Sequence, residues 1–399
     1  MLPRTFDHTD QAFIRRFREE ANALPPPRLH RVEPKLNRVV SGGIAETPGG
    51  RLWAAWLHHA ECRYSQGMLA YSDDNGESWS APCFETDISL ISNDSNRSTM
   101  TINLWTAPDG KLFCFYDCGL EVFDGEAGIY QSVCENPDAT EPVWNAPQRI
   151  WHGWAINKPI VLSTGEWLLA GSLLIYPTDP LRPCVCDHRL DEFRCAHVFV
   201  SLDCGNSWQR RGNVCVPEKE WSFYEPMPVE LADGSVALYI RTASGVSRTV
   251  SADGGWNWSN PVPEAYPHPP ARIFVTRLAS GRLLTVRHDS RRVPPRRERL
   301  TAFLSEDDGK SWFGGLVIDE RFGVSYPDGF QGRDGVIRVV YDHLRDDGEI
   351  LTAAFREEDV LASKAVSAEC RFRQVIHRLP GYETCGNEKQ IHIKLMANQ

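Results

Sequence analysis

The sequence predicts an all-β protein, a six-bladed β-propeller of four-stranded blades that is preceded by a short helix. Three observations lead to this fold class. Short β-like runs follow tight turns of the Asp-Gly, Thr-Gly or Ser-Gly type along most of the chain. An octapeptide of fixed pattern occurs four times. Its spacing divides the chain into units of about 50–70 residues, the size of a four-stranded propeller blade.

The helical pattern lies near the start of the chain. Apolar residues recur at the spacing of one helix face over residues 13–24, and Asp10 can cap this helix. Three prolines at residues 25–27 end the pattern, because proline breaks a helix. We therefore expect a helical extension over residues 1–30 and a single propeller domain over residues 31–399.

The repeated octapeptide reads Ser-x-Asp-x-Gly-x-(Ser/Asn)-Trp, and its residue types suit a tight turn between two strands. The Asp side chain accepts hydrogen bonds from the backbone of its own turn, and Gly adopts a conformation that other residues avoid. The Trp side chain can fill the space between neighbouring sheets. The four copies occupy residues 72–79, 201–208, 251–258 and 305–312.

The spacing of the copies gives the number of blades. The last two intervals each match one blade, whereas the first interval is long enough for two. A degraded copy fits between Ser132 and Trp144, and a final unit without the octapeptide includes residues 353–359. Together these make six units. A β-sandwich with coincidental turns is the alternative, and four copies in one chain argue against it.

Composition excludes several classes of protein. No apolar run approaches the roughly 20 residues that span a bilayer, so we expect neither an integral membrane protein nor a membrane partner. The content of 10% aromatic and 24% charged residues excludes a disordered chain. The net charge of −10 argues against a nucleic-acid partner, because such proteins usually carry a basic face. The N-terminus lacks the pattern of a secretory signal, which predicts a cytoplasmic protein.

The octapeptides resemble the Asp-box, or bacterial neuraminidase (BNR) repeat, of the sialidase superfamily. That superfamily consists of six-bladed propellers that bind sugars at the propeller axis, and the resemblance covers nearly all of residues 31–399. The repeat specifies the fold rather than the chemistry, because it also occurs in non-catalytic propellers. Candidate functional residues must therefore come from the segments between the boxes.

Two such segments resemble the catalytic stretches of sialidases. Residues 224–234 read YEPMPVELADG, and Arg241 follows on the next predicted strand. The resemblance implies that Glu225 activates a tyrosine nucleophile and that Arg241 is one of three arginines that grip the substrate carboxylate. Guanidinium groups suit this task, since they form two parallel charge-assisted bonds with a carboxylate. The second segment, residues 325–329, reads SYPDG and lies near the point of the chain where the superfamily carries its tyrosine nucleophile. The implied nucleophile is Tyr326, and Tyr341 is the competing candidate.

Further residues are candidates for the lining of the site. Arg272 and Arg297 would complete the grip on the carboxylate, and His288 ends a predicted strand and would face the axis. The remaining candidates near the axis are Arg38, His58, His59, Lys158 and Asp328.

The sequence departs from the sialidase pattern at two places. The Arg-Ile-Pro motif that supplies the first triad arginine is absent, and its arginine would fall on Val40, two residues from Arg38. The Asp that normally serves as acid/base before the first box is also absent. Glu61, His58 or His59 would take that role, provided that its pKa lies near neutrality. We therefore expect a divergent branch of the superfamily.

Taken together, the resemblance implies an exo-acting glycoside hydrolase that releases a terminal acidic sugar, sialic acid or a related carboxylated sugar, from glycans. No phosphate loop, dinucleotide fingerprint or Ser-His-Asp elbow is present, and no cofactor is expected. Two alternatives stay open. One is a propeller exo-glycosidase for another sugar, or a uronate-dependent lyase whose base would be His288, His58 or Tyr326. The other is a non-catalytic sugar-binding propeller. Nothing in the sequence predicts the oligomeric state.

A cluster of soft ligands stands apart from these motifs. Cys184, Cys186, His188, Cys195 and His197 lie within one short segment of a chain that has 12 cysteines. Zinc favours such ligands, but the spacings differ from the usual Cys-x2-Cys pattern. A metal site, a disulfide and ordinary free thiols all stay open, and a reducing compartment favours free thiols.

Overall fold

The computed structural model describes residues 28–29, 38–60, 65–85, 98–119, 127–173, 188–346, 348–379 and 382. In these residues six antiparallel sheets follow one another along the chain, and each holds four consecutive strands. The predicted six-bladed propeller is confirmed. Blade 1 carries one added strand, β1 (Arg28–Leu29), which pairs with its outermost strand.

The strands of each blade run in chain order from the axis outwards. Blade 1 consists of β2 (Val39–Glu46), β3 (Leu52–His58), β4 (Gln66–Ser72) and β5 (Phe84–Glu85). Blade 2 consists of β6 (Ile102–Thr106), β7 (Leu112–Cys118), β8 (Gly128–Cys134) and β9 (Gln148–His152). Blade 3 consists of β10 (Ile160–Val161), β11 (Trp167–Ser172), β12 (Ala196–Ser201) and β13 (Gln209–Val214).

The second half of the ring repeats this arrangement. Blade 4 consists of β14 (Tyr224–Glu230), β15 (Val236–Thr242), β16 (Gly245–Ser251) and β17 (Val262–Pro263). Blade 5 consists of β18 (Phe274–Arg277), β19 (Leu283–His288), β20 (Leu300–Ser305) and β21 (Phe313–Asp319). Blade 6 consists of β22 (Val324–Gln331), β23 (Ile337–His343), β24 (Glu349–Phe355) and β25 (Arg371–Arg378).

Helices are short in the described part of the chain. They are α1 (Glu357–Ala362) and two 3-10 turns, His188–Phe193 and Glu218–Glu220. None of the helices in these ranges is long and apolar enough to cross a membrane. The helix predicted over residues 13–24 lies outside the described residues.

Each octapeptide lies between the third and fourth strand of its blade and forms the turn that its residues predict. In blade 4, Asn257 N donates to Asp253 Oδ1 at 2.9 Å, and Gly255 N donates to Ser251 Oγ at 2.8 Å. Hydrogen bonds to the carboxylate, that from the Asn257 backbone first, lower the pKa of Asp253 to about 2. Trp258 packs against an apolar cluster that includes residues of blade 3. The box therefore joins neighbouring blades as well as neighbouring strands.

The two blades without a complete box use substitutes. In blade 2, the Asn136 side chain accepts a hydrogen bond from Val143 N, within the predicted degraded copy. In blade 6, α1 replaces the box, and the Asp359 carboxylate accepts bonds from Val366 N and Ser367 N at 2.6 and 2.8 Å. A side-chain oxygen that accepts backbone hydrogen bonds in the turn is thus present in both blades that lack a complete box.

The ring closes by contact between blades 1 and 6 rather than by a shared strand. Arg38 forms a backbone bridge to Asp346, and its Nη1 lies 2.6 Å from Asp346 Oδ1. Val39 N donates to Arg345 O at 3.0 Å. Trp56 and Val340, from the two blades, share one apolar cluster.

The strand directions give the propeller two different faces. The innermost strands begin, and the second strands end, on one face, whereas the tight turns and the boxes lie on the other. Glu225 stands at the start of β14, Tyr326 at the start of β22, and Arg241 at the end of β15. The candidate residues therefore meet on one face.

Candidate active site

Three side chains from two blades form a compact hydrogen-bonded group. The phenol of Tyr326 donates to Glu225 Oε1. Arg241 Nη1 donates to the same Glu225 Oε1 at 2.8 Å and contacts Tyr326 OH at 2.9 Å. All three are nearly buried, at 8%, 5% and 8% exposure for Tyr326, Glu225 and Arg241. A phenol, a carboxylate and a guanidinium thus share one small volume, as the sialidase resemblance implies.

Irregular backbone aims the Glu225 and Tyr326 side chains at each other. Glu225 and Tyr326 have positive φ angles of 43° and 53°. The register of β14 against β15 shifts between Tyr224 and Met227, and that of β22 against β23 shifts between Ser325 and Asp328. Bulges of this kind redirect side chains next to active sites, and strained non-glycine residues cluster there.

A proline follows each of Glu225 and Tyr326. Pro226 and Pro327 have no N–H, so neither can donate to the sheet at the point where the ladder is interrupted. The sequences Tyr-Glu-Pro and Ser-Tyr-Pro therefore carry a local signal for the two bulges.

Two more arginines surround the Tyr326 ring. The guanidinium carbon of Arg345 lies 4.1 Å from the ring centre, and that of Arg297 lies 5.4 Å from it. Arg297 Nη2 donates to Pro270 O at 3.2 Å, and Arg345 Nε lies 3.4 Å from Asp342 Oδ1. With Arg241, three arginines from blades 4, 5 and 6 converge on one phenol.

The charges around Tyr326 act in opposite directions on its ionisation. Burial, and then the Glu225 carboxylate, raise the pKa of Tyr326, while Arg241, Arg345 and Arg297 pull in the other direction. Burial alone would lower the pKa of Arg241, but Glu225 and Tyr326 outweigh it and raise that pKa. Near neutral pH the phenol is therefore protonated and the guanidinium is charged, and the phenolic proton is donated to Glu225 Oε1.

Arg345 was not among the residues predicted from the sequence. The family pattern directs attention to blade 1, whereas Arg345 follows the second strand of blade 6. Arg38, the blade 1 candidate, instead pairs with Asp346 at the ring closure. One sequence signal for Arg345 was available. It follows the second strand of blade 6, β23, and Arg241 occupies the comparable position at the end of the second strand of blade 4.

Three predicted substrate ligands lie elsewhere, in a buried network at the axis. The Asp328 carboxylate accepts from Arg272 Nη2 at 3.1 Å and from Lys158 Nζ at 2.8 Å. Arg272 is 1% exposed, and its guanidinium also bonds to Asn157 Oδ1, Gly42 O and Ile156 O. Since these donors are used by protein acceptors, the geometry does not support the role predicted for Arg272, Lys158 and Asp328 as substrate ligands.

The predicted histidines are buried and uncharged. His288 is fully buried, and its Nδ1 must donate to Glu298 O at 3.2 Å, because a carbonyl oxygen only accepts. Burial, and then Arg297, lower the pKa of His288 to about 3. Burial also lowers the pKa of His58 to about 3, and His58 packs against His59 at 4.3 Å between ring centres. Neither His58 nor His288 contacts the Tyr326 phenol.

The competing tyrosine lies away from this group. Tyr341 is fully buried, and its OH donates to Asp319 Oδ2 at 3.1 Å, away from Glu225. Tyr326 is therefore the tyrosine that meets Glu225. Glu61 lies outside the described residues.

The cysteine cluster divides into a disulfide, a buried histidine and residues whose side chains are not described. Cys195 is bonded to Cys215, a residue outside the predicted cluster, and together they join the ends of β12 and β13. His197 is fully buried, and its Nε2 bonds to Phe193 O. Cys184 and Cys186 lie outside the described residues. Within the described ranges no group of three or more His, Cys, Asp or Glu side chains is placed to hold a metal ion.

Solved structures share the fold of this chain. A Hadza microbial sialidase matches with a TM-score of 0.64 and 14% identity over 80% of this chain and 66% of that one. The NanB sialidase from Streptococcus pneumoniae matches with a TM-score of 0.61 and 13% identity over 83% of this chain and 70% of its own. A protein of unknown function from Dyadobacter fermentans matches with a TM-score of 0.60 and 16% identity, over 82% of this chain and 97% of its own.

At these identities the likeness to solved structures concerns the fold. This chain spans about two thirds of the Hadza sialidase. A search of the curated proteins gives no match. A family described as the BNR repeat-like domain matches residues 68–339. That match covers more than half of the chain and includes all four boxes, and the chain therefore belongs to the BNR repeat-like domain family.

Proposed function

We propose that this protein is an exo-acting glycosidase of sialidase type that releases a terminal carboxylated sugar from a glycan. The observation that carries the proposal is the group in which Glu225 accepts from the Tyr326 phenol while Arg241 contacts both. A phenol is a weak nucleophile at its ordinary pKa, so it needs a base in contact and positive charge nearby. Both are present in this group.

In the proposed reaction the three arginines hold the sugar carboxylate next to the anomeric carbon. Tyr326 attacks that carbon, Glu225 takes the phenolic proton, and the glycosidic oxygen leaves with a proton from a general acid. Water then attacks the anomeric carbon and gives a proton back to the general acid, the bond between that carbon and Tyr326 breaks, and Glu225 returns the proton to the phenol. A neutral phenol suits this substrate, because a carboxylate nucleophile would meet the like charge of the sugar. Tyrosine is the known sialidase exception to the two-carboxylate scheme.

The number and origin of the arginines bear on the choice of sugar. Three positive charges from Arg241, Arg297 and Arg345 favour an anionic group over a neutral sugar. The third arginine comes from blade 6, whereas the family pattern supplies one from blade 1. The proposal therefore includes sialic acid and related carboxylated sugars rather than sialic acid alone.

The test is release of a fluorescent leaving group from a panel of carboxylated sugar glycosides, with sialic acid first. We expect turnover by the wild type and a fall in kcat of about 10²- to 10⁴-fold in Glu225→Gln, since a general base is lost. Tyr326→Phe should fall at least as far. Tyr341→Phe is the matched control, because Tyr341 is a buried tyrosine that bonds to Asp319 away from this group.

Two results would contradict the proposal. One is the absence of turnover on every member of the panel, and the other is a Tyr326→Phe variant as active as Tyr341→Phe. A product that absorbs in the ultraviolet, as an unsaturated sugar does, would instead identify a lyase.

A further inference from the structure

A buried polar network along the axis draws on all six blades. Its centre is the fully buried carboxylate of Asp328, which accepts from Arg272, from Lys158 and from the backbone N–H of Ile44 at 3.2 Å. Lys158 Nζ also donates to two carbonyl oxygens, one from blade 1 and one from blade 6. The blades contribute, in order, Gly42 and Ile44, Asn103, residues 156–158, the carbonyl oxygens of Glu225 and Pro226, Arg272, and Asp328 with Gly329.

The network reaches both bulges of the candidate active site. On the Glu225 side, Asn157 Nδ2 donates to Glu225 O and to Pro226 O, each at 3.0 Å. On the Tyr326 side, Asp328 lies two residues further along β22, where the bulge ends. Arg272 joins the two sides, because its Nε donates to Asn157 Oδ1 at 2.7 Å and its Nη2 to Asp328 Oδ1 at 3.1 Å.

Stability alone is a poor explanation for this arrangement. Burial lowers the pKa of Arg272 and of Lys158, which reflects the cost of holding two cations in the interior. Buried ion networks of this kind are often no more stable than apolar side chains of similar volume. They do fix geometry, since each planar guanidinium accepts few alternative arrangements of its partners.

We propose that Arg272 is a positioning residue that holds the Glu225 and Tyr326 bulges at the separation their shared hydrogen bond requires. The inference rests on the proposed function for its kinetic readout. Displacement of a reacting group by about 1 Å can reduce turnover about 10²-fold. Arg272 acts through Asn157 and Asp328, without contact to the substrate.

The experiment uses Arg272→Lys, which keeps the charge but lacks a fork that can reach both partners. Asn157→Leu is the second variant, since it removes the bonds to the Glu225 bulge and leaves the Arg272–Asp328 pair in place. Arg338→Lys is the matched control. Arg338 is 4% exposed and bonds to Asp334 and Asn75 at the seam between blades 6 and 1. It lies at the start of β23, on the face of the tight turns and boxes, opposite to the face that holds both bulges.

We expect Arg272→Lys and Asn157→Leu each to lower kcat about 10- to 100-fold with KM within about threefold of the wild type. The pH values at which kcat rises and falls should also shift, because they depend on the contact between Tyr326 and Glu225. The effects in the double variant should fall short of the product of the single effects, since both act on one network. Arg338→Lys should leave the pH profile in place.

A readout without turnover separates this inference from the proposed function. The ionisation of the Tyr326 phenol is followed by ultraviolet difference absorbance in intact wild type and Arg272→Lys, with Tyr326→Phe as the reference. A shift towards the ordinary pKa of a phenol in Arg272→Lys supports the positioning role, even if the wild type cleaves none of the glycosides. The positioning role would be overturned if Arg272→Lys and Asn157→Leu fold and both keep the phenol pKa and the pH profile of the wild type. Losses no larger than those of Arg338→Lys would also overturn it.

Discussion

Because several histidines are buried and neutral, we expect this propeller to lose stability in mild acid. The loss should begin at a higher pH than the protonation of carboxylates. His58, His197 and His288 are each at most 1% exposed. Burial lowers the pKa of each of them from 6.5 to about 3. Because the folded pKa lies below the unfolded value, the unfolded chain binds protons first as the pH falls. Stability is therefore full above pH 6.5 and is lost progressively towards pH 3.

The size of the loss follows from the pKa shifts. Each of the three histidines lowers the free energy of unfolding by about 1.4 kcal/mol per pH unit in this window. At pH 5 each has removed about 2 kcal/mol, and the three together about 6 kcal/mol. That sum is comparable with the whole stability of an ordinary domain, about 5–15 kcal/mol. A steep fall in the midpoint of urea unfolding is expected between pH 6.5 and pH 5.

The matched variant is His58→Phe. Both ring nitrogens of His58 are buried without a hydrogen-bond partner among the described residues, so Phe keeps the shape and removes the proton site. The variant should be at least as stable as the wild type at pH 7.5, because it buries no unsatisfied polar atom there. Its free energy of unfolding should depend on pH less steeply, by about 1.4 kcal/mol per unit. Equal slopes in the variant and the wild type, or a wild-type midpoint that stays constant from pH 6.5 to pH 5, would refute the reasoning.

Three further predictions concern other parts of the molecule. Arg345→Met should raise KM for a carboxylated sugar about tenfold or more, since a charge-assisted bond is lost. Steady-state kinetics on the glycoside panel measures this change, and an unchanged KM would contradict the prediction. Asp253→Ala should lower the free energy of unfolding by about 1 kcal/mol, because the exposed box turn loses its acceptor, and kcat per folded molecule should stay the same in a paired urea and activity assay. Reduction of the Cys195–Cys215 disulfide, which closes a loop over a sequence separation of 20, should cost about 3 kcal/mol. The free energy of unfolding of Cys215→Ser should be the same with and without reductant. A wild type whose free energy of unfolding is also unchanged by reductant would contradict this last prediction.

The fold could be predicted from the sequence because its signal is local and repeated. Each octapeptide contains the serine, carboxylate, glycine and Trp that make its turn, so four copies identify four blades without any knowledge of distant contacts. Blade 6 shows the limit of this signal. Its turn is built by α1 and Asp359, and no pattern of the octapeptide marks that solution.

The candidate site was predictable where a residue sits inside a motif. Glu225, Arg241 and Tyr326 meet, since each lies beside a turn or bulge that fixes its place on the blade. Arg345 lies outside any motif, and its approach to Tyr326 depends on the path of the chain just after β23.

Arg272 and Lys158 show why charge near the axis is ambiguous. The side chain of a cation on an innermost segment can point towards the candidate active site or into the buried network along the axis. Its direction depends on the backbone conformation of one or two residues. Here both cations form ion pairs with the fully buried Asp328 carboxylate, in the network along the axis. A sequence pattern shows that such charges are present, but it does not show which side of the bulge they occupy.

The way the ring closes has a consequence for how the chain folds during synthesis. Since every blade uses four consecutive strands, each sheet can form as soon as its own segment has left the ribosome, with contacts that are short in sequence. The contacts between Arg38 and Asp346 join residues separated by 308 positions, so they form after blade 6 has been made. Until that moment blades 1 and 6 present open apolar flanks, including Trp56 and Val340. The incomplete propeller is therefore the state most exposed to aggregation, and a variant that weakens this seam should reduce the yield of folded protein more than its equilibrium stability.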